Sequence, residues 1–248
     1  MLRELIALFR SGSADQHIAD ELNRMIDESA ELVRLAGDLC FQRSTEAPSL
    51  ADIKQRDKVI NKLQRRLRRE AFGDLLGDPR RFGLPFTLSV MNVVKDVERI
   101  GDYAKELAEV AELAGSAPAT RAPIDRLLPL VQQVERLLAA VGPTMKETDQ
   151  LKAVHLIDRG KDIRRELAKV QKALVSEREP MLYAAADALI TQYYIRVVSH
   201  ALNVLSTLVT PLDRMDYLGK KDLLPEVKER LKQQSDPAAP KPTAELAD

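Results

Sequence analysis

The positions at which this chain can interrupt a helix constrain its architecture more than any other feature. Ser13-x-x-Gln16, Ser49-x-x-Asp52 and Ser176-x-x-Glu179 each precede a long run of helical periodicity. Each reads as a capping signal, in which a hydroxyl and an acid or amide satisfy backbone N–H groups that the first turn leaves unpaired. Gly77-Asp78-Pro79 marks a turn, and the Pro/Ala/Gly-rich run from Gly115 to Pro123 marks a linker. Between these marks the spacing predicts helices over 14–41, 51–75 and 84–113. After the linker it predicts three more, over 124–146 with a kink or break at Gly142-Pro143, 149–175 and 177–217. With 4% aromatic residues and only 10 Gly in 248 positions, the core must be filled by aliphatic side chains that suit helices. The expectation is an all-α fold of two tandem three-helix bundles, the first over 1–118 and the second over 119–218. Pro225, Pro237, Pro240 and Pro242 punctuate 219–248, which reads as a disordered tail carrying one short helix around Leu223 to Leu231.

Two successive three-helix sets invite a search for duplication, and one is present. Asp57-Lys-Val-Ile-Asn61 aligns with Asp158-Arg-Gly-Lys-Asp162 at an offset of 101, and Glu98-Arg99 to Glu106 aligns with Ile195-Arg196 to Asn203 at an offset of 97. In the first copy Asp57 and Asn61 are four apart, as are Glu98 and Asp102, so each pair projects from one helix face. Both pairs, with Glu109, flank an apolar stripe. Carboxylates in line at this spacing repel unless they are solvated, paired or neutralised by a cation. An oxygen-only donor set favours magnesium, manganese, calcium or iron over a closed structural zinc site. Ordinary surface pairing with Lys95, Arg99 and Lys105 is equally compatible with the spacing. Gly101, costly inside a helix, predicts close approach of another helix or an ion beside Glu98 and Asp102.

Charge and motif content exclude several functions. Lys and Arg total 38 and so do Asp and Glu, so no whole-molecule field favours nucleic acid. The basic run Lys62, Arg65, Arg66, Arg68 and Arg69 lies on the outer arc of the second helix and reads first as a solvated face, the alternatives being contact with an acidic partner, with anionic lipid or, as the weakest, with nucleic acid. Cys40 is the one cysteine, which fits a reducing compartment and a cytoplasmic location. The apolar stretch Val197 to Leu212 is too short and too polar to span a bilayer. The opening MLRELIALFR is an amphipathic segment, not a secretory signal; its apolar face packs on the protein or makes a peripheral membrane or partner contact. A di-iron carboxylate enzyme needs Glu-x-x-His, but Ala14, Lys152 and Val197 stand three before His17, His155 and His200. No hydrolase triad and no glycine-rich phosphate cradle is legible, so the chain reads as non-enzymatic.

The run Asp96-Val97-Glu98-Arg99-Ile100-Gly101-Asp102-Tyr103-Ala104-Lys105 closely resembles the signature helix of the PhoU family of phosphate-uptake regulators, and Asp57-Lys-Val-Ile-Asn61 resembles its earlier acidic element. The resemblance extends over roughly residues 1–218, including the duplicated layout. It implies a cytoplasmic regulator of phosphate transport and phosphate-responsive signalling that acts by protein–protein contact and often dimerises. The implied partners are a phosphate transporter component, either an ABC-type ATPase or a sodium-phosphate symporter, or a sensor histidine kinase. It also implies a metal ion, such as iron, zinc, manganese or magnesium, held by Asp57, Asn61, Glu98 and Asp102. Departures from the motif include Asn61 for an acid and, in the second copy, Ile195 and Ser199 where the carboxylates belong. The second copy is therefore expected to hold metal weakly or not at all, through Asp158, Asp162 and His200. The competing readings are an oxygen-ligand metal protein with a storage or redox role, and a metal-free helical scaffold.

Overall fold

A computed structural model describes residues 14–44, 46, 48–77, 84–115, 122–176 and 184–235. Among the described residues seven α-helices run in order: α1 (Ala14–Phe41), α2 (Leu50–Gly77), α3 (Leu84–Ala114), α4 (Ala122–Glu147), α5 (Gln150–Ser176), α6 (Ala184–Ser206) and α7 (Pro225–Ser235). Two 3-10 turns, Leu212–Arg214 and Lys220–Asp222, separate α6 from α7. No strand occurs among the described residues.

Local chemistry explains several of these boundaries. At the start of α2 the Ser49 hydroxyl accepts from the Asp52 N–H at 3.2 Å, while Asp52 Oδ2 accepts from the Ser49 N–H at 3.0 Å. This reciprocal box satisfies two donors that the first turn would otherwise expose. Asp149 caps α5 through the Lys152 N–H at 2.9 Å. Gly115, at φ 66°, follows the last turn of α3 in the left-handed region that glycine enters without strain.

Two expectations are corrected. Pro143 and Gly142 do not break α4, which continues to Glu147. Gly142 instead lets α1 approach, because a Cβ there would sit 2.5 Å from Asp27 Oδ1. The Ser176 hydroxyl donates back to the Lys172 carbonyl at 2.6 Å at the end of α5, while the start expected for the sixth helix at 177 lies outside the described residues. Finally, α6 ends at Ser206, not Tyr217, because the hydroxyls of Ser206, Thr207 and Thr210 bond to carbonyls three or four residues back, and turns follow. The opening MLRELIALFR, the Ser13 cap, the Gly77-Asp78-Pro79 turn beyond Gly77, most of the linker, and the tail from 236 onward lie outside the described residues.

Helices α1, α2 and α3 pack against one another, as do α4, α5 and α6. The two sets join along α1 against α4 and α3 against α6. Helices α3 and α6 run antiparallel: Asp96 reaches His200 and Asn203, while Glu106 reaches Tyr193. One aliphatic core runs through both sets, including Leu22, Val97, Leu138 and Val204. Fully burying each such side chain stabilises the fold by about 1.5–3 kcal/mol. Gly160 on α5 sits so close to Leu202 on α6 that a Cβ would collide with it.

The chain after α6 folds back on the second set. The Leu224 N–H donates to the Val209 carbonyl at 2.8 Å, Lys161 Nζ reaches the Leu218 carbonyl, and Leu223 and Val227 are buried in the core. Residues 219–235 are thus a packed segment with a helix, longer than the short one expected around Leu223 to Leu231.

Candidate functional site

The expected acidic face lies between α2 and α3. On α2, Asp57 is 6% exposed and its Oδ2 accepts from Asn61 Nδ2 at 3.0 Å. On α3, Glu98 and Asp102 stand along the edge of the buried stripe, and Gly101 between them lets α2 close in. A Cβ on Gly101 would meet Ile60 Cδ1 at 3.0 Å and Asp57 Oδ1 at 3.7 Å. The close approach expected at Gly101 is therefore made by the neighbouring helix.

The chain's own cations neutralise much of this face. Lys105 Nζ lies 3.2 Å from Asp102 Oδ1 and 3.7 Å from Asp57 Oδ2. Arg99 bonds Asp102 Oδ2 at 3.1 Å and lies 3.9 Å from Glu98 Oε2. Glu109 is drawn off to Lys54 on α2, at 2.9 Å. Burial pushes the Asp57 carboxyl above its ordinary value; Lys105 opposes that rise and Asp102 adds to it. Burial, then the charge of Asp102, raises Glu98 as well, against Arg99 and Arg68. Burial alone would lower Lys105, but its bond to Asp102 and the charge of Asp57 outweigh it and hold the ammonium charged.

Asp57, Asn61, Glu98 and Asp102 fit a hard cation by donor type. A second observation agrees, since Asp57 Oδ1 is buried and has no hydrogen-bond partner. The geometry is less open: Lys105 occupies the space between Asp57 and Asp102, and Asn61 turns its amide N–H toward Asp57. Among the described residues, no three His, Cys, Asp or Glu side chains lie close enough together to hold a metal ion.

In the second copy the three expected donors do not meet, which corrects that grouping. Asp158 pairs with Lys161 at 3.1 Å and Asp162 with Arg165, both within α5. His200 turns toward α3, where its Nδ1 lies 2.7 Å from Asp96 Oδ1 and its ring stacks on Tyr103 at 5.7 Å. The cause is angular: His200 is one residue past Ser199, so it points about 100° away from the face equivalent to Asp102.

Two clusters were not legible in sequence. Asp96, 2% exposed, lies 2.7 Å from His200 Nδ1 and accepts from Asn203 Nδ2 at 3.3 Å, linking α3 to α6. Nearby, burial and then the charge of Asp96 raise Asp216, while Lys95 and His200 oppose the rise. Arg43, just past α1, bonds Glu135 of α4 through both terminal nitrogens at 2.6 and 2.9 Å and lies 3.0 Å from Asp38. Their sequence separations, 104 and 92 residues for the closest pairs, leave no local signal.

The basic run on α2 divides. Arg66 pairs with Glu70 at 2.8 Å and Glu21 at 3.3 Å, and Arg68 is half-buried toward Glu98, whereas Lys62, Arg65 and Arg69 remain exposed.

Fold and site together define a two-unit helical-bundle protein in which paired helices of the first unit carry a partly buried acidic face and no helix among the described residues is long and apolar enough to cross a membrane. Residues 22–111 match the PhoU domain. The matched stretch lies within α1 to α3 and includes Asp96 to Lys105, the run that resembles the family's signature helix. The chain is similar to the phosphate-specific transport system accessory protein PhoU homolog of Synechocystis sp. (strain ATCC 27184 / PCC 6803 / Kazusa), 25% identical over 203 residues, covering 76% of this chain and 85% of that protein. Its fold matches the crystal structure of the phosphate transport system regulatory protein PhoU from Streptococcus pneumoniae with a TM-score of 0.68 at 18% identity, over 84% of this chain and 96% of that one. It also matches PhoU from Pseudomonas aeruginosa, with a TM-score of 0.69 at 19% identity, over 78% and 94% of the two chains.

Proposed function

We propose that this protein is a non-enzymatic, cytoplasmic regulator of phosphate transport and phosphate-responsive signalling that works by protein–protein contact. The observation that carries this reading is the match to the PhoU domain over residues 22–111, in which α3 is also one of the two helices that pack on the second set. A partner that perturbs α3 would thereby be felt in both units. The partner classes are a component of a phosphate transporter, either an ABC-type ATPase or a sodium-phosphate symporter, and a sensor histidine kinase; the protein itself acts as a monomer or homodimer. Affinity capture of the tagged full chain from phosphate-starved and phosphate-replete cells, read by mass spectrometry, tests it. Recovery of a transporter component or kinase in either state is expected, and recovery of neither in both states counts against the regulator.

A second reading is favoured by Asp57 Oδ1, which is buried without a partner. Asp57, Asn61, Glu98 and Asp102 would hold a divalent or trivalent cation, and that ion would supply the positive charge that Lys105 now provides. The metal content of purified native protein is compared with that of a Glu98→Ala/Asp102→Ala variant. Loss of metal in the variant supports the cation site, and undiminished metal refutes it.

A further inference from the structure

The outer face of α2 carries a pattern that the acidic site does not use. Lys58, Lys62, Arg65, Arg69, Phe72 and Leu76 are all exposed, Leu76 at 81%. Their spacing is four, three, four, three, four. At 3.6 residues per turn, all six fall within an arc of about 80°, centred roughly 150° from the buried face that holds Ile53, Ile60, Leu67 and Ala71. No acidic residue falls in this arc. Among the described residues, none of the four cations forms an ion pair or hydrogen bond, although Arg66 and Lys54 on the same helix both do. The stripe runs about 27 Å, cationic over its first two-thirds and apolar at its end.

We propose that this stripe is a docking seam for one helix of a partner protein, an amphipathic helix with acidic side chains opposite Lys58, Lys62, Arg65 and Arg69 and apolar ones opposite Phe72 and Leu76. The proposal rests on the reading of the chain as a regulator that acts by protein–protein contact, and it names the chemistry of the partner surface. Alternating spacings of three and four are what a second helix requires to stay in contact along a shared seam. Four cations with no counter-charge supply the electrostatic complement for an acidic partner and speed its encounter. A bilayer takes its apolar contacts deeper than its cations, whereas this stripe holds both along one line at one height. Single-stranded nucleic acid calls for aromatic rings among the cations, and there are none between Lys58 and Arg69. Two copies of the chain meeting through this seam about a twofold axis would oppose like charges.

The test places a benzoylphenylalanine photo-crosslinker in the full-length protein at Lys62, at Phe72, and, as a control, at Lys169 on the exposed surface of α5, and maps the crosslinked peptides from phosphate-limited cells. Crosslinks from Lys62 and Phe72 to an acidic helical segment of a phosphate-transport or kinase component are expected. Arg65→Glu/Arg69→Glu should weaken that capture by on the order of tenfold or more while leaving the circular-dichroism melting curve in place, because neither side chain has a partner to lose. Crosslinks from the seam to lipid, to nucleic acid or to a second copy of this chain overturn the proposal, as does undiminished capture by the charge-reversed variant. If only Lys169 captures a transport or kinase component, the seam is wrong and the regulatory reading stands. If no position captures one, both fall.

Discussion

At the scale of the residue, the acidic face is governed by burial and by the chain's own cations. The Asp57 carboxyl is raised by burial, so the folded state binds its proton more tightly than the unfolded state does. For an acid whose folded pKa is raised, stability is greatest below the unfolded value and falls as pH rises through the folded one. Asp57→Asn is therefore expected to raise the melting temperature of metal-free protein at pH 7, with the gain shrinking as pH is lowered through the carboxylate range. Urea melts at pH 7 and pH 4 check this, and an equal or larger gain at pH 4 contradicts it. The Asp96–His200 pair behaves oppositely, because removing one partner strands the other. His200→Ala leaves a carboxylate that is 2% exposed with Asn203 as its remaining side-chain hydrogen-bond partner among the described residues, at an expected cost of about 3 kcal/mol in urea unfolding. His200 itself was visible in the sequence as a candidate donor for Asp158 and Asp162. Its true partner was not, because spacing along one helix gives an azimuth but not the identity of the helix across the gap.

At the scale of the element, helix boundaries were legible wherever the cap is made by neighbours in sequence. Ser49 and Asp52 form the expected box, and Ser49→Ala should cost about 1 kcal/mol, measurable as a lower urea midpoint with an unchanged slope. Boundaries failed where a hydroxyl could bond back along its own helix: Ser206, Thr207 and Thr210 do so, and α6 stops at Ser206. Gly142-Pro143 resembled a break, yet Pro143 lies inside α4 and Gly142 serves the approach of α1 through Asp27. Proline removes one hydrogen bond, and packing on both sides of a helix can outweigh that loss. The outer face of α2 shows the reverse case: the same sequence run divides into paired and unpaired cations only once Glu21 and Glu70 are placed beside Arg66.

At the scale of the whole molecule, the two three-helix sets share an aliphatic core and are tied by Asp96 to His200 and by Arg43 to Glu135. Because the core is continuous, unfolding in urea is expected to give one transition, coincident by far-UV circular dichroism and by tyrosine fluorescence. Separate transitions would show that the units fold independently. The sequence by itself determined the helical class, the six long helices to within a few residues at most ends, and the helix that carries Glu98 and Asp102. These depend on periodicity, on caps and on local spacing, all set within a turn or two of the chain. The tertiary structure alone decided which groups face one another. It put Lys105 between Asp57 and Asp102, sent His200 across to Asp96, and folded residues 207–235 back onto the second unit. Contacts between residues roughly a hundred positions apart form because burying both helix faces lowers the free energy of the whole, and no local pattern encodes which pairs meet.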